Sequence, residues 1–417
     1  MLAYLTYFQI FSSMFTCVVL SFFPHLLTYK QIAVIIAVVS AIILIPKIFQ
    51  KKGNSVGTIL TACLCMLVIV LYFLTSELYG TSSNTYNSFF LVLCGQVFPI
   101  LLCATFVAQS EEVQNNIKRL TPLIGILFSS MAFMAAFFPT STTSGGYMAN
   151  DNGLNYHNTS YMAAYAAAFC IYYILCFEQI EWNNVFRKRI FFILAAILIF
   201  INLLTIFIAG GRGGLVLYIM QFCLAAYIYI KRNVTSQRQT FKIIGISIVM
   251  VGIILLLANF AESTTLKTNG YERILSTIRT GDSNGRSVLR DKAIACFTDK
   301  PLFGHGVGSV FYELGIYSHN CITDALLEIG VVGCVMYLTF FIYAWRRGIK
   351  LFNTDFTGYI WLVIFLDGFV MSLFSGYYIA QIPALWAATF LVCKNFKEEI
   401  EIHDVQDYNN LQHRSKV

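Results

Sequence analysis

The chain has 417 residues, 58% of them hydrophobic and 12% charged, with a mean hydropathy of +0.69 and a formal net charge of +7. Soluble domains carry about 25% charged residues, so a soluble enzyme or a disordered segment is excluded and the composition is that of a membrane protein. Prolines are few at seven, and the apolar runs lack strand-like alternation, which favours an all-α polytopic helical bundle over a barrel.

A membrane-spanning helix needs roughly 17 to 25 apolar residues. About twelve such segments follow one another: 2–23, 31–49, 57–76, 88–108, 120–139, 159–177, 190–209, 214–230, 241–260, 321–344, 356–375 and 378–393. The first has no basic leader and no small-x-small cleavage site before Pro24, so it reads as a retained span, not as a signal peptide. An even number of spans puts both termini on one side. Cytoplasmic loops carry the excess of Lys and Arg, and one set of alternate connections holds Lys47, Lys51, Lys52, Lys118, Arg119, Arg187, Lys188, Arg189, Lys231, Arg232, Arg238, Lys242, Arg346, Arg347 and Lys350. The polar tail 394–417 adds Lys394, Lys397, Arg414 and Lys416 to the same side. Both termini are therefore expected in the cytoplasm, and the segment 261–320, between spans nine and ten, outside.

That segment is the one long loop, and loops beyond about 15 residues are usually functional or disordered. "RSVLRDKAIACF" at 286–297 sets Leu289, Ala293, Cys296 and Phe297 on one helical face and Arg286 and Arg290 on another, the pattern of an amphipathic helix over the outer mouth of the bundle. The twelve cysteines fall mostly inside apolar runs without a C-x-x-C pair. They read as small buried hydrophobes, with neither a metal site nor a disulfide framework.

Several features on the outer face carry possible chemistry. "AGGRGGL", 209–215, sets Arg212 between glycine pairs; a guanidinium fork suits phosphate oxygens, while the plainer alternative is a tight turn with a snorkelling arginine. Arg286 and Arg290, with Lys292 nearby, run against the positive-inside trend; an anionic headgroup or diphosphate would explain them, and so would a solvated helix face balanced by Asp291 and Asp299. "PLFGHGVGS", 301–309, lacks the lysine of a phosphate loop and reads as a closely packed turn in which His305 is structural.

The stretch "SHNCITDALLEIGVVG", 318–333, opens span ten. Ser318 or Asn320 can cap the helix, and Asp324 complements its positive end. Capping does not account for His319, whose neutral ring can accept a proton from a hydroxyl. Nor does it account for Glu328, or for Asp367 in span eleven: carboxylates in spans are costly and usually face the bundle interior or a water-filled cavity. In "NYHNTSYMAAYAAAF", 155–169, Tyr156 and Tyr161 can stack on a sugar, although an interfacial aromatic belt is the commoner role. His157 stands there as a lone histidine.

These features together resemble the bacterial O-antigen ligase and O-antigen (capsule, exopolysaccharide) polymerase-like superfamily of lipid-linked glycan transferases. The ligase pattern of His, then Asn, Ser or Gln, nine residues and Gly-x-x-Gly is met by His319, Asn320, Gly330 and Gly333. "GRSVLRDKAIACFTDKPLFGHGVGS" is similar to the superfamily's loop segment, with Arg286 at the position of its arginine. The ligase pattern of Arg, three residues and Leu is not met, because Val216 stands at the leucine position after Arg212. The resemblance implies residues 1–393 as an integral membrane transferase in the bacterial inner (plasma) membrane, active on its external or periplasmic face. Its donor would be a glycan on undecaprenyl diphosphate and its acceptor a glycan or a lipid-linked glycan. The implied reaction is inverting, needing no metal and no cofactor. On this reading Arg212, Arg286 and Arg290 hold the diphosphate, His319 serves the acceptor hydroxyl, and Asp324 or Glu328 fixes its tautomer. Asn320, Asp367 and Tyr156 complete the expected substrate-binding set. Further partners would be the bilayer, a chain-length regulator and a flippase; nothing points to nucleic acid.

Three functions follow. A repeat-unit polymerase leads, on the imperfect arginine pattern and the "GLNYHNTSYMAAYA" approach to span six; a ligase delivering finished polymer to lipid A-core or another acceptor is second. A transporter or flippase would show charges in several spans and two related halves, whereas here the ionisable residues gather at one face.

Overall fold

The computed structural model describes residues 2–22, 35–36, 38–44, 46, 56–80, 84–139, 141–142, 148–149, 154–180, 185–233 and 286–394. Apart from a two-residue antiparallel ladder, Ser141–Thr142 with Met148–Ala149, the regular structure among them is helical. Among the described residues seven helices are long and apolar enough to cross a membrane: Val56–Tyr79, Asn84–Ala108, Glu111–Phe137, Lys188–Ala209, Arg212–Ile230, Cys321–Thr354 and Phe356–Ser375.

The expected count of twelve is not reached among the described residues. Span 241–260, loop residues 261–285 and nearly all of the tail lie outside them, and span 31–49 is described only in part. The first expected span is a bent pair, Leu2–Ile10 and Ser12–Leu20, which meet at 95° and would make an eighth crossing. At the bend, Phe11 is clasped edge-on by Phe128, Tyr165 and Phe169, with ring centroids 4.9 to 5.7 Å away, and Ser12 Oγ accepts from Gln96 Nε2 at 2.6 Å. The last, Ile382–Cys393, is about 18 Å long, short of a bilayer core of about 30 Å.

The sixth expected span, Tyr156–Leu175, is the central post, buried without interruption from Thr159 to Tyr173. It packs against Glu111–Phe137, Val185–Ala209 and Arg212–Asn233. Five alanines between Ala163 and Ala168 give it a slim profile, which lets neighbouring backbones come close. Asn155 starts it: its side-chain oxygen accepts from His157 N and Asn158 N, each at 3.0 Å.

The tenth expected span departs most from a simple helix. Within Cys321–Thr354, Gly330 takes φ 62°, ψ −168° and breaks the helix. In an unbroken helix the carbonyls of Leu327 and Glu328 would accept from Val331 and Val332. Here they accept from His305 N at 2.9 Å and Gly306 N at 2.8 Å, while Val331 N and Val332 N donate to Pro301 O at 2.8 Å and Leu302 O at 3.2 Å. The turn 301–306 is thus a wedge that takes over the interrupted ladder from both sides. A Cβ on Gly330 would collide with the Leu302 carbonyl, and one on Gly304 with that of Glu328. Gly330 is therefore both the site of the break and the place where the 301–306 turn packs closest to the helix. From Val331 to Thr354 the helix still runs about 36 Å, enough to span by itself, so the crossing is complete without the piece bearing Asp324 and Glu328.

Described residues from several connections of each expected set lie together. At one end, Lys118 pairs with Asp355 at 2.5 Å, Tyr173 OH donates to Lys188 O at 3.0 Å, and Arg347 donates to the carbonyls of Leu391 and Lys394. At the other lie Arg286–Asp299, the wedge, and the residues flanking Gly211 and Ser375.

Candidate functional site

The site grows from a helix terminus. Tyr359–Ser375 ends at its last-turn carbonyls, which have no intrahelical partner and carry the negative end of the helix dipole. Two neighbouring ones are taken by different elements: Leu373 O accepts from Asn320 Nδ2 at 3.2 Å, and Phe374 O accepts from Arg286 at 2.6 Å. This terminus therefore places the two halves of the sequence motif, Arg286 and the His319–Asn320 pair, side by side.

Arg286 opens the helix Arg286–Asp299, in which Ala293 is buried and Leu289, Cys296 and Phe297 are half-buried, as the amphipathic pattern requires. Its second terminal nitrogen lies 2.8 Å from His157 Nε2. A guanidinium can only donate, so Nε2 accepts, and His157 is the neutral tautomer with its proton on Nδ1. Arg286 thus ties the 286–299 helix to the central post and to the end of Tyr359–Ser375.

His319 stands in the left-handed region at φ 62°, the one non-glycine to do so among the described residues. This conformation costs about 1–2 kcal/mol, and such strain gathers at functional sites. It is held from both flanks. Asn320 caps the helix, accepting from Ile322 N at 3.0 Å and Thr323 N at 3.1 Å. Asp324 Oδ1 accepts from Ser318 N at 2.8 Å. The ring meets Tyr317 edge-on at 4.6 Å. Burial, and then the nearby Arg286 charge, lower its pKa from 6.5 to about 4, so the imidazole is neutral at physiological pH and able to accept a proton.

Arg212 enters from the third side. It is half-buried at the first position of Arg212–Asn233, and the glycines around it lie on the start of the central post. Gly211 N donates to Ser160 Oγ at 2.9 Å, and Ser160 Oγ to Tyr156 O at 2.7 Å. A Cβ on Gly213 would strike the Tyr161 hydroxyl, which shares a hydrogen bond with Ser375 Oγ at 2.9 Å. The glycine pairs thus bring the Arg212 backbone onto Tyr156–Tyr161, beside Arg286 and the end of Tyr359–Ser375. Tyr156 lies against the His157 ring at 4.0 Å, and Arg290 is exposed one turn beyond Arg286.

Two carboxylates lie apart. Glu328 is fully buried and accepts from Tyr377 OH at 2.8 and 2.9 Å and from Val310 N at 3.2 Å; it pins the segment after the wedge to the 376–381 turn. Asp367 is fully buried about 12 Å along its helix from Ser375, where it accepts from Gln221 Nε2. The structure sets both carboxylates on other partners than the His319 ring: Asp324 accepts from Ser318 N, and Glu328 from Tyr377 OH and Val310 N. His305 is structural as expected, its Nε2 on Cys296 O at 2.8 Å. Sequence reasoning noted His157 as a lone histidine in a polar stretch and passed over Tyr377, Gln221 and Ser375, whose partners are remote in sequence.

Helices long enough to cross a bilayer, with arginine and histidine gathered at one end, define a multi-pass membrane protein with a polar site at one face. Residues 197–338 match the family model described as O-Antigen ligase, and this supports the O-antigen ligase and polymerase-like superfamily for the chain. The matched stretch holds Arg212, Arg286, Arg290, His319, Asn320, Asp324 and Glu328. No curated protein and no solved structure matches the chain.

Proposed function

We propose that the protein is a glycan transferase that uses a glycan on undecaprenyl diphosphate at the external face of the inner membrane, and that it is a repeat-unit polymerase. One observation carries the reading: Asn320, which follows the neutral, strained His319, and the Arg286 guanidinium are anchored on adjacent carbonyls of one helix end, with the Arg212 backbone beside them.

In this account His319 takes the proton of an acceptor hydroxyl as its oxygen attacks the anomeric carbon of the donor sugar. The bond from that carbon to the diphosphate oxygen breaks, the configuration inverts, and the diphosphate leaves on its lipid. Arg212, Arg286 and Arg290 neutralise the leaving group, so that preorganised positive charge, without a metal ion, stabilises the developing anion. Asn320 and Asp324 act on the turn that presents His319, and Tyr156 faces the sugar. Glu328 and Asp367 keep the site's supports in place.

Ligase activity is the second reading, favoured by the description of the matched family; it shares donor and site and differs in acceptor. A deletion strain complemented with wild-type or variant protein, its surface glycan sized by gel, tests both. Loss of a polymerase leaves single repeat units on the final acceptor, whereas loss of a ligase strands long polymer on the lipid carrier. Wild-type glycan from His319→Ala, Arg212→Ala and Arg286→Ala alike would overturn the site.

A further inference from the structure

We infer that His157 is a positioning residue for diphosphate binding, acting through Arg286. This role rests on the donor reading above and adds to it a residue outside the matched stretch 197–338.

An arginine at the first position of a solvent-facing helix has a long, mobile side chain, and a flexible cation binds phosphate as a loose counter-ion. Here the guanidinium is fixed at two points. One terminal nitrogen donates to Phe374 O at 2.6 Å and the other donates to His157 Nε2 at 2.8 Å. Two directed bonds set the plane of the group, and the donors that remain of its five then point in fixed directions. Both anchors come from rigid places, the end of Tyr359–Ser375 and the capped first turn of the central post. The His157 backbone is itself held, its N–H on Asn155 Oδ1 at 3.0 Å, and its ring is backed by Tyr156 at 4.0 Å and Tyr161 at 6.5 Å.

The chemistry makes a histidine suitable at this position. A carboxylate there would neutralise Arg286 and compete with the phosphate for it. A neutral imidazole accepts one hydrogen bond and leaves the full positive charge for the ligand. Glutamine can place a carbonyl oxygen where Nε2 stands and does the same; leucine cannot.

The test is the affinity of full-length protein, in lipid nanodiscs, for undecaprenyl diphosphate, alongside its melting temperature. His157→Leu is expected to weaken binding by about tenfold or more, the range for a lost bond to a charged group, while His157→Gln stays within about threefold of wild type, inside the usual spread of such energies. On an Arg286→Ala background, His157→Leu should cause no further loss, since residues that act as one unit are not additive. Unchanged affinity in His157→Leu overturns the role, as does an equal loss in His157→Gln or an additive loss in the double variant. Absence of saturable binding by the wild type would instead overturn the donor reading, and this role with it.

Discussion

Gly330→Ala probes the wedge that supports the site. Alanine at φ 62° costs about 1–2 kcal/mol, and its Cβ would overlap the Leu302 carbonyl. Relief requires the turn 301–306 to withdraw, and with it go the four bonds exchanged across the break, each worth about 0.5–1.5 kcal/mol net. Those bonds are the cost of opening in either protein, so that cost falls by the strain of the closed form, at least about 1–2 kcal/mol. Since each 1.4 kcal/mol is about a factor of ten, the open form becomes at least about fivefold to thirtyfold better populated. Hydrogen–deuterium exchange by mass spectrometry, on peptides covering 304–312, reads this as loss of protection at His305 and Gly306. Protection equal to wild type would refute the reasoning, because it would mean that alanine fits the break.

Other outcomes follow from the same geometry. Glu328→Gln keeps an acceptor for the Tyr377 hydroxyl and should leave the melting temperature near wild type, whereas Glu328→Ala leaves that buried hydroxyl unsatisfied and costs about 1–3 kcal/mol, seen as a lower melting temperature. For His319, a folded pKa of about 4 against 6.5 means that the unfolded chain binds the extra proton between those values. Its contribution to stability therefore rises with pH across that window, is worst below about 4 and is fully relieved above 6.5. A pH–rate profile should place the His319 limb near the lower value, and Arg286→Gln should move it partway up, because burial is the larger cause. Arg286→Lys should not restore wild-type donor affinity, since a point charge cannot hold the two anchors and a diphosphate together. Gly213→Ala should displace the Tyr161 hydroxyl from Ser375 Oγ and lower activity with little change in expression, measured as glycan output per unit of protein.

Much of this was legible in the sequence where local rules apply. Asn320 and Asp324 were recognisable as capping residues, and the 286–297 face pattern gave the helix and its buried side. Arg212, Arg286 and His319 were named from motif and sidedness, and the structure gathers them at one end. What escaped depends on pairing across long separations. The glycines of "PLFGHGVGS" suggested close packing, but Gly330, at the other side of the same contact, looks in sequence like any small residue in a packed span; a helix break and a helix contact use the same residue. Glu328 stood out as a carboxylate in apolar sequence, yet Tyr377, which satisfies it, is one tyrosine among 24. Among the described residues the span count falls short of twelve partly for a physical reason: apolar length does not distinguish a straight crossing from the bent pair at Phe11 or from the short Ile382–Cys393.

The central claim is that one end of this bundle breaks the bond between a glycan and a lipid diphosphate. Purified full-length protein in nanodiscs, given a synthetic undecaprenyl-diphosphate oligosaccharide that can also serve as acceptor, should release undecaprenyl diphosphate and form a longer glycan. His319→Ala should slow that release by about a hundredfold to ten-thousandfold, the usual contribution of a general base. Release at the wild-type rate by His319→Ala, or no release by the wild type with competent donor and acceptor, would contradict the account.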